Sequence, residues 1–280
     1  MTITFQNIKT LPYSKRQLVV VMPDDIVGKQ RTMSEKDSHE SSDWKDYVIA
    51  AANFASRGNP LVTIASVAVK EGYSAWVRSR ENGLKTLPIK RSEAEELIFP
   101  PGHPRDGVLY ACHPTDTNTY FTVASFHRAA FEHKLAEAVN LLMHLGATKF
   151  KVEHIQGWST EFASNLAVPL KDATINATAS SNSGVKSKIL FEASLPNNRS
   201  CVLPNDLVWF HHEKTWQAVA NGRLKFGMSD FSLMINYVDD FGINAGLKLK
   251  AKDSGLDLGG KFEEHLATSW KIEGVFAPCV

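Results

Sequence analysis

The sequence predicts an α+β fold, a mostly antiparallel sheet with helices packed on one face. Three patterns predict it. Short apolar or alternating runs recur between Gly-, Pro- and Ser-rich breaks, as strands do. Longer runs carry apolar residues at helical spacing. A helix–glycine–strand pattern also occurs twice in the C-terminal two-thirds, which suggests internal duplication.

The elements follow in order. "TITFQNI" and "QLVVVM" read as strands, and the second is apolar on both faces, as a fully buried strand is. Thr32 to Asp43 is polar and reads as a loop. A helix over Asp43 to about Arg57 follows, with Ser42 as its N-cap. Gly58-Asn59-Pro60 starts a second helix, with Pro60 in its first turn. Ser92-Glu-Ala-Glu95 has the spacing of a capping box. Phe99 to Gly107 is Pro-rich and marks a boundary. "VLYACHP" and "TYFTVASF" then read as a hairpin. A helix over 126–145 buries Phe131, Leu135, Ala138, Leu142 and Leu145 on one face, and Gly146 stops it.

The repeat sets "HKLAEAVNLLMHL" against "EKTWQAVANGRLKF". Gly146 then matches Gly227, and Phe150 matches Phe231. Each copy continues into a hairpin, with arms at 173–179 and 185–195 in the first and at 245–252 and 256–263 in the second. "DLVWF" supplies strand material before the second helix, and "ATSWKIEGVF" forms a last strand. Two domains result. Residues 1–106 form an N-terminal α+β region with two helices rich in small residues. Residues 107–280 form a pseudo-duplicated sheet domain, with units at about 119–195 and 206–277.

Composition excludes several classes. Net charge is +1, with 15 cations against 13 acids before Gly107 and 16 against 17 after it, so there is no strong nucleic-acid signal. No apolar run approaches the roughly 20 residues of a membrane-spanning helix. The three cysteines, Cys112, Cys201 and Cys279, have no metal or redox spacing, which points to reduced thiols and a cytoplasmic setting. No cofactor or metal is expected.

Histidines are the candidates for acid–base chemistry. His103 and His113 lie on Pro-rich loops beside a strand, where catalytic groups concentrate, and His127 lies on the following helix. No nucleophile or carboxylate motif accompanies them. His133, with Glu137 and Asn140, falls opposite the apolar stripe and reads as a solvated face. His211 and His212 read as helix entry. Asp24-Asp25 and Asp239-Asp240 read as turns.

The alternating hairpins carry a second possibility. Leu247, Leu249, Leu256, Leu258 and Phe262 line one side of the second hairpin as interface or membrane candidates. Two such hairpins per chain resemble the arrangement of gasdermins and perforin-like pore formers. The arms have about eight alternating residues, and a spanning strand needs about 9–11. An antiparallel sheet with one wet face gives the same alternation.

A non-enzymatic binding or assembly protein that self-associates or takes a protein partner is therefore the leading expectation. A pore former using hairpins 173–195 and 245–263 is an alternative. A hydrolase using His103, His113 or His127 is another.

Overall fold

A computed structural model describes residues 8–24, 60–158, 189–196 and 201–278. Helices combine with two mostly antiparallel sheets, an α+β fold. The chain divides into two compact units, residues 1–127 with 241–264 and residues 128–240 with 265–280. The boundary expected at Gly107 falls inside the first sheet, because strands on both sides of it pair. The expected first strand, apart from Ile8, and the helix over 43–57 lie outside the described residues.

In the first unit a short helix α1 (Tyr13–Arg16) leads into β1 (Leu18–Met22). Helix α2 (Pro60–Glu81) precedes β2 (Thr86–Lys90), which runs into α3 (Arg91–Ala94). β3 (Leu109–Cys112) and β4 (Tyr120–Thr122) form the expected hairpin. The order is β2-β1-β3-β4, parallel only between β1 and β2. All five residues of β1 are buried, as its unbroken apolar run requires. Leu18, Val20 and Met22 face a core with Trp76 and Leu109. Val19 and Val21 face a second core with Ile89, Tyr110 and Cys112. The capping interaction falls two residues earlier than the sequence suggests, since the Glu93 carboxylate accepts from the Lys90 amide.

The first arm of the expected second hairpin is a helix, α6 (Ala245–Ser254), defined by the two residues that bracket it. Asn244 Oδ1 accepts from the amides of Gly246 and Leu247 and opens Ala245–Ser254. Gly255, at φ +79°, closes it, a left-handed position that costs glycine little. The Leu256 amide then reaches back to the Ala251 carbonyl at 3.0 Å. Leu247, Ala251 and Ser254 are buried, four and three residues apart, while Leu249 is 60% exposed. In a strand Leu247 and Leu249 would share a face. Residues 256–258 run extended: the Asp257 carbonyl accepts from the Leu109 amide, and the Leu258 carbonyl from the Ala124 amide. Burying a Leu side chain contributes about 1.5–3 kcal/mol, so Leu247, Leu256 and Leu258 belong to this core for ordinary reasons.

The chain enters the second unit along α4 (Phe126–His144). Its expected apolar face is buried, and Gly146 at φ +85° ends it before β5 (Ala147–Gln156). β6 (Ile189–Ser194) is the described part of the first expected hairpin, whose leading arm lies outside the described residues. "DLVWF" is not a strand. It runs irregularly into a single helical turn, Phe210–His212, before α5 (Lys214–Phe226). Gly227 at φ +68° ends α5, and β7 (Asp230–Tyr237) follows. β8 (Thr268–Phe276) completes the order β6-β5-β8-β7, antiparallel throughout. A helix–glycine–strand unit therefore stands on each side of β8. The hairpin expected after the second unit is absent, because its first arm is helical.

One face of this sheet is aromatic and buried, with Phe131 against Trp270 at 5.0 Å and Phe231 against Phe276 at 4.5 Å. The other carries charged ladders. Lys151 bridges Glu153 at 2.9 Å and Glu273 at 3.2 Å, and Lys271 also bonds Glu273. Bonds from Lys271 and Lys151 hold the Glu273 carboxyl below its usual range. Such half-exposed pairs add little stability, a few tenths to about 1 kcal/mol each.

Candidate functional site

The three candidate histidines each bond a different group among the described residues. His103 Nδ1 lies 2.7 Å from the Tyr110 hydroxyl, which also accepts from the Arg105 amide at 2.7 Å. Burial, then the Arg105 charge, pushes the His103 pKa down. Burial likewise raises that of Tyr110. His113 is fully buried, and its Nδ1 accepts from the amides of Thr115 and Asp116, which shapes the β3–β4 turn. His127 is also fully buried and bonds the Ile243 carbonyl at 2.6 Å through Nε2.

Each ring thus bonds a different backbone or side-chain group in the bonds described. Among the described residues no group of three or more His, Cys, Asp or Glu could hold a metal. Asp24 accepts from the Ser92 amide at 3.1 Å.

The hairpin candidates divide differently from their alternation. Leu247, Leu256 and Leu258 are buried, and Phe262 packs against the same core. Leu249 alone faces out. A pore built on two hairpins loses its second pair of arms, and no described helix is long and apolar enough to cross a membrane.

Cysteine chemistry also departs from expectation. Cys112 is a free, buried thiol whose pKa burial raises to about 11, so it stays protonated and unreactive near neutral pH. Cys201 is disulfide-bonded, so the reduced-thiol expectation, on which the cytoplasmic setting rests, fails there. The Arg223 guanidinium lies 3.4 Å from Cys201 Sγ and also bonds the carbonyls of Leu145, Met228 and Ala277. Arg223 gathers chain ends rather than a substrate.

The face of α4 expected to be solvated is so only in part: His133 is exposed and Asn140 half-buried, but Glu137 belongs to a buried polar joint. Glu137 is 8% exposed, and its carboxylate accepts from three successive amides, Val208, Trp209 and Phe210. Lys134 bridges Glu213 at 2.5 Å and bonds the Asn236 carbonyl at 2.7 Å. The Trp209 indole donates to His133 Nδ1 at 3.1 Å. This joint fastens the irregular 207–213 segment to α4. The apolar "LVWF" run, with no period of its own, was the available signal that something must cover it.

The edges of the two sheets are unlike. In the first, edge strand β2 carries Pro88 and ends in Lys90, and edge strand β4 has three residues. Those are the usual devices against edge-to-edge pairing. In the second, edge strand β7 is eight residues long and has no Pro, Lys or Arg. It pairs with β8 without a register shift and alternates exposed and buried residues throughout. Met234 is 38% exposed on it and Val238 is 65% exposed just beyond it. Lys134 occupies the Asn236 carbonyl, so, among the described residues, 230–235 form the unguarded stretch.

No protein-family model, curated protein or solved structure matches the chain. Its function is therefore read from its own geometry.

Proposed function

We propose that the chain is a non-enzymatic assembly protein that self-associates by pairing the β7 edge with β7 of a second copy. The unguarded edge carries this reading. A long edge strand without Pro, Lys or Arg, whose one charged residue is Asp230 at its start, presents unpaired N–H and C=O groups to another strand. Antiparallel pairing of one strand with its own copy gives a two-fold, self-complementary contact. Eight strands would then run continuously across the pair, with the aromatic face of each sheet kept on one side. Enzymatic function has less support, because His103, His113 and His127 are each engaged in local structure.

Sedimentation velocity across a concentration series tests the proposal. The expected result is a reversible dimer that Ser232→Lys and Met234→Lys weaken, since both positions are exposed and outward-facing. A monomer at all concentrations, or a dimer indifferent to both substitutions, overturns it.

A further inference from the structure

The C-terminal ends of α2 and α6 meet on one surface of the first unit. Arg78 Nε donates to the Ser254 carbonyl at 3.0 Å, and Asn82 Nδ2 donates to the Ser254 hydroxyl at 2.9 Å. A Cβ placed on Gly83 would lie 4.0 Å from Lys250 Nζ. Arg78, Arg80, Lys85, Lys250 and Lys252 are all exposed at or beside this junction, against two acids, Glu81 and Asp253.

Among the described residues none of these five cations is ion-paired. Lys9, Arg91, Arg128, Lys151, Lys248 and Lys271 each have a carboxylate partner. Helix-end electrostatics account for part of the cluster, because cations favour the negative end of a helix dipole. Arg78, Arg80 and Lys252 lie in last turns, but Lys85 and Lys250 do not. At the outward crest of α6 stands Leu249, about 200° around the helix from buried Leu247. It is 60% exposed and flanked in sequence by Lys248 and Lys250.

We infer that this surface docks on an anionic lipid bilayer, independently of how β7 pairs. The cations meet headgroup charge, and Leu249 reaches the headgroup–acyl boundary. An aliphatic side chain at the crest suits lipid better than nucleic acid. Single-stranded nucleic acids are held by exposed aromatic rings, whereas here Trp76 is 6% exposed and Phe262 lies under Lys248 at 5.2 Å. The contact is peripheral and requires no spanning segment.

Co-sedimentation of the full chain with phosphatidylcholine vesicles, with and without phosphatidylserine, tests the inference. Binding should require phosphatidylserine and fade at about 0.5 M salt, where screening is strong. Each of Lys85→Gln, Lys250→Gln and Lys252→Gln should weaken it about fivefold. Leu249→Ser should weaken it further while circular dichroism stays unchanged. Four outcomes overturn the inference: no binding, equal binding to both vesicle types, indifference to Leu249→Ser, or tighter binding to an oligonucleotide than to the anionic vesicles.

Discussion

Phe150 and Phe231 stand opposite the same residue, Gly274, from the two strands that flank β8. The pairing continues along the sheet, since Val152 and Leu233 both face Ile272. The two helix–glycine–strand units therefore present equivalent positions to one central strand. A Cβ at Gly274 would lie 2.7 Å from both Phe150 Cβ and Phe231 Cζ, and against the Lys149 carbonyl. A Gly274→Ala variant should lose about 1–3 kcal/mol to overpacking, read as a lower urea midpoint. An unchanged midpoint would mean that the two rings can separate freely.

Helical α6 makes opposite forecasts for two nearby leucines. Leu247→Ala removes a side chain that is 8% exposed and should cost about 2–5 kcal/mol. Leu249→Ala should stay within about 0.5 kcal/mol of wild type. Comparable losses at both positions would instead favour a strand, in which the two share a face.

Glu137 gives the clearest test of the joint on α4. Its carboxylate accepts from three successive amides, which lead into the turn at Phe210. Glu137→Gln keeps the size of the side chain but removes the charge and one acceptor oxygen. Hydrogen bonds to charged groups contribute about 1.5–3 kcal/mol, so a loss of about 3 kcal/mol is expected. Exchange of the Val208–Phe210 amides should also speed up. Unchanged exchange would show that the carboxylate does not hold this segment.

His103 sets a pH dependence whose sign follows from its shift. Its folded pKa lies below the ordinary 6.5, chiefly through burial. The neutral ring's contribution is therefore complete above about pH 6.5 and is lost as pH falls from there through the folded value. Urea midpoints between pH 7.5 and pH 5 should drop more for wild type than for His103→Gln. Equal slopes would assign the acid sensitivity to other groups.

Much of the scaffold was legible from the chain. β1 could be read because five successive apolar residues suit a strand buried on both faces. α4 could be read because its apolar spacing is long and ends in glycine. The 245–254 segment misleads for a specific reason: Leu247 and Ala251 share a face in either a strand or a helix, and Leu249 alone distinguishes them. There the caps at Asn244 and Gly255 outweigh alternation. The polar joint at Lys134 and Glu137 was illegible because a lysine flanking an apolar stripe and an acid beyond it ordinarily reach water. The histidines show that residue type and loop position do not reveal a bonding partner, since all three are engaged in local structure.

The β7 edge can be observed directly by hydrogen–deuterium exchange at rising protein concentration. If β7 pairs with a second copy, amides within residues 230–235 gain protection as concentration rises, and Met234→Lys abolishes the gain. Amides of β3, inside the first sheet, stay constant. Exchange in β7 that is independent of concentration would contradict the proposed assembly.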